Sequence, residues 1–248
     1  PLNLETGDDE IPLVQAMHRY HAEFLAALGN PDSPYAQERF EKSWVHLKSG
    51  SWEEMTVRRG VKKEFKIRIR SGNADTEILN ESAQEGSDLI VLGCARNGTW
   101  DDASNSPQRV VSYADCSVLL TKGDKPVRRI LALIDQTSVS QESLEMINQL
   151  ITIHSAPLEL IGLTKDGGAK PDAYTRLIEI GDYYSDKGIS LTTRLEDLNR
   201  IESVMATGTG EDLMAFWMGK KSLLTLLFPK DWVEKFVSTC PSSILVLR

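Results

Sequence analysis

Cysteine is scarce and unpatterned in this chain. Cys94, Cys116 and Cys240 stand far apart in 248 residues, an odd number with no CxxC pair. That argues against a disulfide framework or a thiolate zinc site and for a reducing compartment. Long apolar runs are also missing: SILVL and LLTLLF fall far short of the roughly 20 residues that cross a bilayer, so a soluble, cytoplasmic polypeptide is expected. Basic residues are in deficit, 28 against 36 acidic, for a net charge of −8. Neutralising phosphates needs a basic surface, so nucleic acid is set aside as a partner. No motif supplies a nucleophile with its base; no catalytic residue is assigned and the chain is not expected to be an enzyme. A start at Pro1 rather than Met is expected of a piece cut from a longer protein.

What is present is a pattern that occurs twice. SDLIVLG ends at Gly93 and EDLMAFWMG ends at Gly219, 126 residues apart. At the same offset CSVLLTK (116–122) falls on SSILVLR (242–248), QRVVSYAD (108–115) on EKFVSTCP (234–241), and FKIRIRSGN (65–73) on LTTRLEDLN (191–199). Two gap-free copies of one unit are the simplest account.

The second copy is complete. RRILALID (128–135) and PLELIGL (157–163) are short apolar runs, the pattern of parallel strands buried on both faces. Between them Leu144, Ile147, Leu150 and Ile151 recur at helical spacing after the capping serines Ser138 and Ser140. A helix over 172–186, a strand over 188–195, a short helix over 198–206 and the strands DLMAFWMG and SSILVLR follow. Strands alternating with helices imply parallel pairing through right-handed crossovers. The expected fold is therefore α/β, two doubly wound parallel-sheet domains related by an internal repeat: 1–122, a linker over 123–127, and 128–248. The first copy departs at its beginning. Residues 13–28 read as a helix closed by Gly29 and 34–49 as another, while strands matching ILALI and LELIGL have no counterpart.

This order of elements, with ILALID and a serine-rich turn first, DLIVLG before a loop, and a helix running into CSVLLTK or CPSSILVLR last, resembles the universal stress protein family in tandem. The resemblance spans 127–248 and about 60–122. Nucleotide-binding members of that family carry G-x2-G-x9-G-[ST] after the fourth strand, small residues letting the backbone wrap phosphates. Gly93 and Gly219 match the opening glycine, but Arg96 and Ser222 occupy the second glycine position, and Ser106 and Trp232 the third. Both halves count 23 residues from that glycine to the terminal strand (93 to 116, 219 to 242), about two fewer than the nucleotide-binding pattern. ATP is accordingly not expected. Were a nucleotide to bind, Asp135 at the end of the first strand would face the adenosine, with Gly219, Lys220 and Ser222 in the loop.

A second resemblance concerns context. Cation–chloride cotransporters and related amino-acid-permease-type transporters carry a cytoplasmic region of two such halves, in which the strand glycine is followed by a basic residue, Asn or Asp, and Trp. GCARNGTW (93–100) and FPKDW (228–232) are similar. The resemblance implies a non-catalytic regulatory and dimerisation module working beside a membrane-embedded transporter domain. A stand-alone tandem stress protein that senses a nucleotide is the alternative.

Other residues divide between plain and sharper readings. His18, His21 and Glu23 share one helix without a second ligand cluster, so no metal is expected. Cys116 opens an apolar strand, where a thiol is a small core residue; redox sensing is its sharper reading. RRGVKKEFKIRIR (58–70) holds seven basic residues against one acid. It is a charge-guarded edge strand or, through Lys62, Lys63 and Lys66, a docking face for anionic headgroups or acidic loops. Trp100 and Trp232 are candidate packing or partner contacts. The last strands expose apolar edges that need pairing, which makes Val118, Leu119, Leu120, Ile244, Leu245 and Val246 interface candidates. They pair half to half within the chain or across a homodimer, and the homodimer is expected.

Overall fold

In the computed structural model, the described residues are 15, 19, 22, 23, 40–46, 52–58, 64–93, 106–122, 125–134, 139–164, 171–218, 237 and 240–248. They fall in two compact units, 1–72 and 73–248.

In the first unit Gln15, Arg19, Ala22 and Glu23 are helical and exposed, within the helix expected over 13–28. The helix expected over 34–49 is not formed at 40–46: β1 (Phe40–His46) is a strand, paired antiparallel with β2 (Trp52–Arg58), which in turn pairs antiparallel with β3 (Glu64–Ile69). FEKSWVH holds aromatic and β-branched residues that suit a pleated surface. Its partner WEEMTVR supplies the ladder, a non-local gain that periodicity cannot register. β3 is an outer strand of this three-stranded sheet, with Lys66 opposite Met55.

The second unit begins with α1 (Ala74–Glu85), closed by Gly86 in the left-handed conformation at φ 62, where glycine carries no steric cost. β4 (Leu89–Gly93), α2 (Ser106–Tyr113) and β5 (Ser117–Thr121) follow. Next come β6 (Arg129–Ile134), α3 (Gln141–His154), β7 (Leu158–Thr164), α4 (Pro171–Asp186) and β8 (Leu191–Asp197). A 3-10 turn (Leu198–Arg200) leads into α5 (Ile201–Ala206), then β9 (Asp212–Trp217) and β10 (Ser243–Leu247). α3 starts where its sequence dictates: Ser140 is the N-cap, and its hydroxyl accepts from Ser143 N at 3.1 Å.

The strands form one seven-stranded sheet in the order β4-β5-β10-β9-β6-β7-β8. Every pair is parallel except β5 with β10. Within it, β10-β9-β6-β7-β8 is the doubly wound order expected for the second copy, with the reversal between β9 and β6. The sheet has a core on each face. One gathers Val111, Val118, Leu133, Ile201, Phe216 and Ile244, the other Ile130, Ile147, Leu160, Ile180, Ala215 and Leu245. Burial on both faces is why these strands read as continuous apolar runs.

Of the two pairings open to the last strands, half to half or across a homodimer, the chain shows the first: β5 and β10 hydrogen-bond to each other, so one sheet holds strands from both sides of 123–127, within the compact unit 73–248. The gap-free offset of 126 expected from the sequence is not kept along the ladder. Leu119 pairs with Val91 in one direction and Leu245 with Ala215 in the other. Leu119 and Leu245 are 126 apart, but Val91 and Ala215 are 124 apart. Gly93 is thus level with Trp217 and not with Gly219. Asp88-Leu89 is level with Asp212-Leu213, where the sequence agrees better.

Candidate functional site

The antiparallel seam between β5 and β10 is where the geometry is most specific. Its register pairs Leu120 with Ile244, Leu119 with Leu245 and Val118 with Val246, so all six interface candidates sit in one ladder inside one chain. Leu119 and Leu245, 126 residues apart, face each other, and the surrounding hydrogen bonds repeat at the same offset. Lys122 N donates to Ser243 Oγ at 3.0 Å, and Arg248 N donates to Ser117 Oγ at 3.2 Å. Lys122 Nζ donates to the carbonyl of Val237 at 2.6 Å, and a guanidinium nitrogen of Arg248 donates to the carbonyl of Val111. Val111 and Val237 are again 126 apart. Each seam strand therefore ends in a cation that holds a carbonyl before the other.

The two ends differ in burial. Lys122 is 8% exposed and also donates to the carbonyl of Cys240, whereas Arg248 is exposed. A buried ammonium is tolerated because carbonyl dipoles replace its water. Nearby, burial pushes the Cys240 thiol up, with hydrogen bonds from Ser242 and the charge of Lys122 opposing. Its sulfur lies 3.8 Å from Met214 Sδ. Cys116 is half-buried, its Sγ 3.2 Å from Ser82 Oγ.

Beside the seam lies a cleft of about 730 Å³, lined among others by Asp88, Asp115, Ser117, Ser140, Glu142 and Arg248. It sits where β4 and β5 begin, β10 ends and α3 begins. Ser140 already caps α3. Glu145, also in the lining, accepts from Tyr183 Oη at 2.6 Å and from Lys187 Nζ at 3.3 Å. Those bonds, Tyr183 first, hold its carboxyl below the usual range. Among the described residues its lining is that of a polar recess with carboxylates and the cation of Arg248.

A second charged cluster ties the starts of the strands together. Arg129 on β6 makes a two-pronged bond to Asp212 on β9, both N···O distances 3.0 Å, and also approaches Glu159 on β7 at 3.4 Å. Glu159 accepts from Arg194 on β8 at 2.7 Å. Burial alone would raise the Asp212 carboxyl, but bonds from Arg129 and from Thr209 N and Oγ1 outweigh it and hold the group below its ordinary value. A depressed carboxylate stabilises the fold above its unfolded pKa and loses that contribution as pH falls through the folded one. Stability should therefore hold from neutrality to about pH 4 and decline below it. Asp212→Asn should be less stable at neutral pH and show a flatter acid limb in urea titrations, and an unchanged limb would contradict the assignment.

Several expected site residues, Asp135, Gly219, Lys220, Ser222, Lys62, Lys63, Trp100, Trp232, His18 and His21, lie outside the described residues. Lys66 is placed only by its register on β3. Gly93 is described, and among the described residues a Cβ there would meet Thr121 Oγ1 at an ordinary 3.5 Å; its φ is not positive. The equal 23-residue spacings also dissolve once β4 and β9 are level: Gly93 to Ser117 and Trp217 to Ser243 differ by two residues. The basic seam residues Lys122 and Arg248 were missed as site residues, although TK and LR at the ends of the repeated strands were the signal.

Comparison with known proteins agrees with the fold. Residues 9–122 match the Universal stress protein family. This is the half whose beginning departs from the pattern, so it overlaps the resemblance read from the residues only over about 60–122. No curated protein matches. Among solved structures, a universal stress protein from Archaeoglobus fulgidus DSM 4304 is similar over 99% of this chain and 82% of its own, at 16% identity and a TM-score of 0.53. A putative universal stress protein from Pseudomonas aeruginosa UCBPP-PA14 is similar over 72% and 69%, at 18% identity and 0.46. The cytoplasmic domain of a prokaryotic cation chloride cotransporter is similar over 68% of each chain, at 14% identity and 0.43. The first likeness shows the fold alone; the two lower TM-scores add nothing to it. The chain thus contains a universal stress protein-like α/β domain with one mostly parallel sheet. Among the described residues, no helix is long and apolar enough to cross a membrane.

Proposed function

We propose that these 248 residues are a non-catalytic regulatory and assembly module made of two stress-protein-like halves. It works at the cytoplasmic face of a membrane transporter of the cation–chloride cotransporter type. The observation that carries the reading is the seam: equivalent residues at an offset of 126 face each other across β5 and β10, and each half caps the other with a terminal cation. Two arms of one sheet closed on each other within the 73–248 unit move together, which suits a part that conveys conformational bias rather than one that turns over a substrate. The transporter context rests on GCARNGTW and FPKDW. Localisation at the cytoplasmic face belongs to the same proposal.

The rival is a stand-alone nucleotide-sensing stress protein, favoured by the family match over 9–122. Calorimetric titration with ATP and AMP separates the two. The module reading expects no binding tighter than about 100 μM, near −5.5 kcal/mol. Tighter binding that is lost in Asp135→Ala would replace it with the rival.

A further inference from the structure

We draw no further inference here: the strongest candidate, the cleft beside the β5–β10 seam lined by Asp88, Asp115, Cys116, Glu142 and Arg248, is an acidic cluster with a lone thiol, and nothing in the structure points to a ligand for it.

Discussion

Ile244→Asp should leave the 73–248 unit without a cooperative unfolding transition and without near-UV circular dichroism. Ile244 is fully buried, pairs with Leu120 on one side and Met214 on the other, and belongs to the core face shared by both arms of the sheet. The substitution removes apolar burial worth about 3 kcal/mol. It also places a carboxylate where no cation is opposed to it, at several more. Together these reach the roughly 5–15 kcal/mol that holds an entire domain. Ile244→Val keeps the shape and should cost about 1 kcal/mol. The contrast separates loss of the seam from a general sensitivity of β10. A folded Ile244→Asp protein would mean that β10 is not between β5 and β9 in solution.

The second large effect belongs to Lys122. Lys122→Ala leaves the carbonyls of Val237 and Cys240 without their ammonium donor in a site that excludes water. The loss should be about 3 kcal/mol in urea denaturation, at the upper end for hydrogen bonds to a charged group. Arg248→Ala removes the corresponding contact to Val111, a part-buried bond from a guanidinium that burial pulls below its ordinary value, but Arg248 lines the cleft, where water can take its place. A cost of about 1 kcal/mol is expected there. The order of the two values is the informative part. Equal losses, or a larger one at Arg248, would mean that the cation at the end of β5 is not buried under the partner half.

What was legible in the sequence follows from what each segment's neighbours are. RILALI, LELIGLT and SILVL could be read as central strands because both their faces are buried, so hydrophobicity alone marks them. The helix at 141–154 carries its own cap, Ser140, and its own apolar periodicity. FEKSWVH reads as part of a helix because its strand identity comes from WEEMTVR, which begins 12 residues further along the chain, and pairing of that kind leaves no local mark. An offset of 126 anchored on Gly93 and Gly219 places β4 two residues out of step with β9, since the ladder sets Gly93 level with Trp217. Strand-end glycines are eye-catching, yet among the described residues nothing packed on Gly93 asks for one. Asp88 and Asp212, which are level, would have been the better anchors. The seam cations escaped notice for a similar reason: a Lys and an Arg after an apolar strand look like solvated ends until the fold shows a carbonyl over each.

The central claim is that β5 and β10 of one molecule pair with each other. Isotope-filtered NOE spectroscopy on an equal mixture of labelled and unlabelled chains tests it directly. Cross-strand NOEs between the backbones of Leu119 and Leu245 should be present in uniformly labelled protein and absent from the filtered spectrum of the mixture. Their appearance in the filtered spectrum would contradict the account, because the seam would then lie between two molecules.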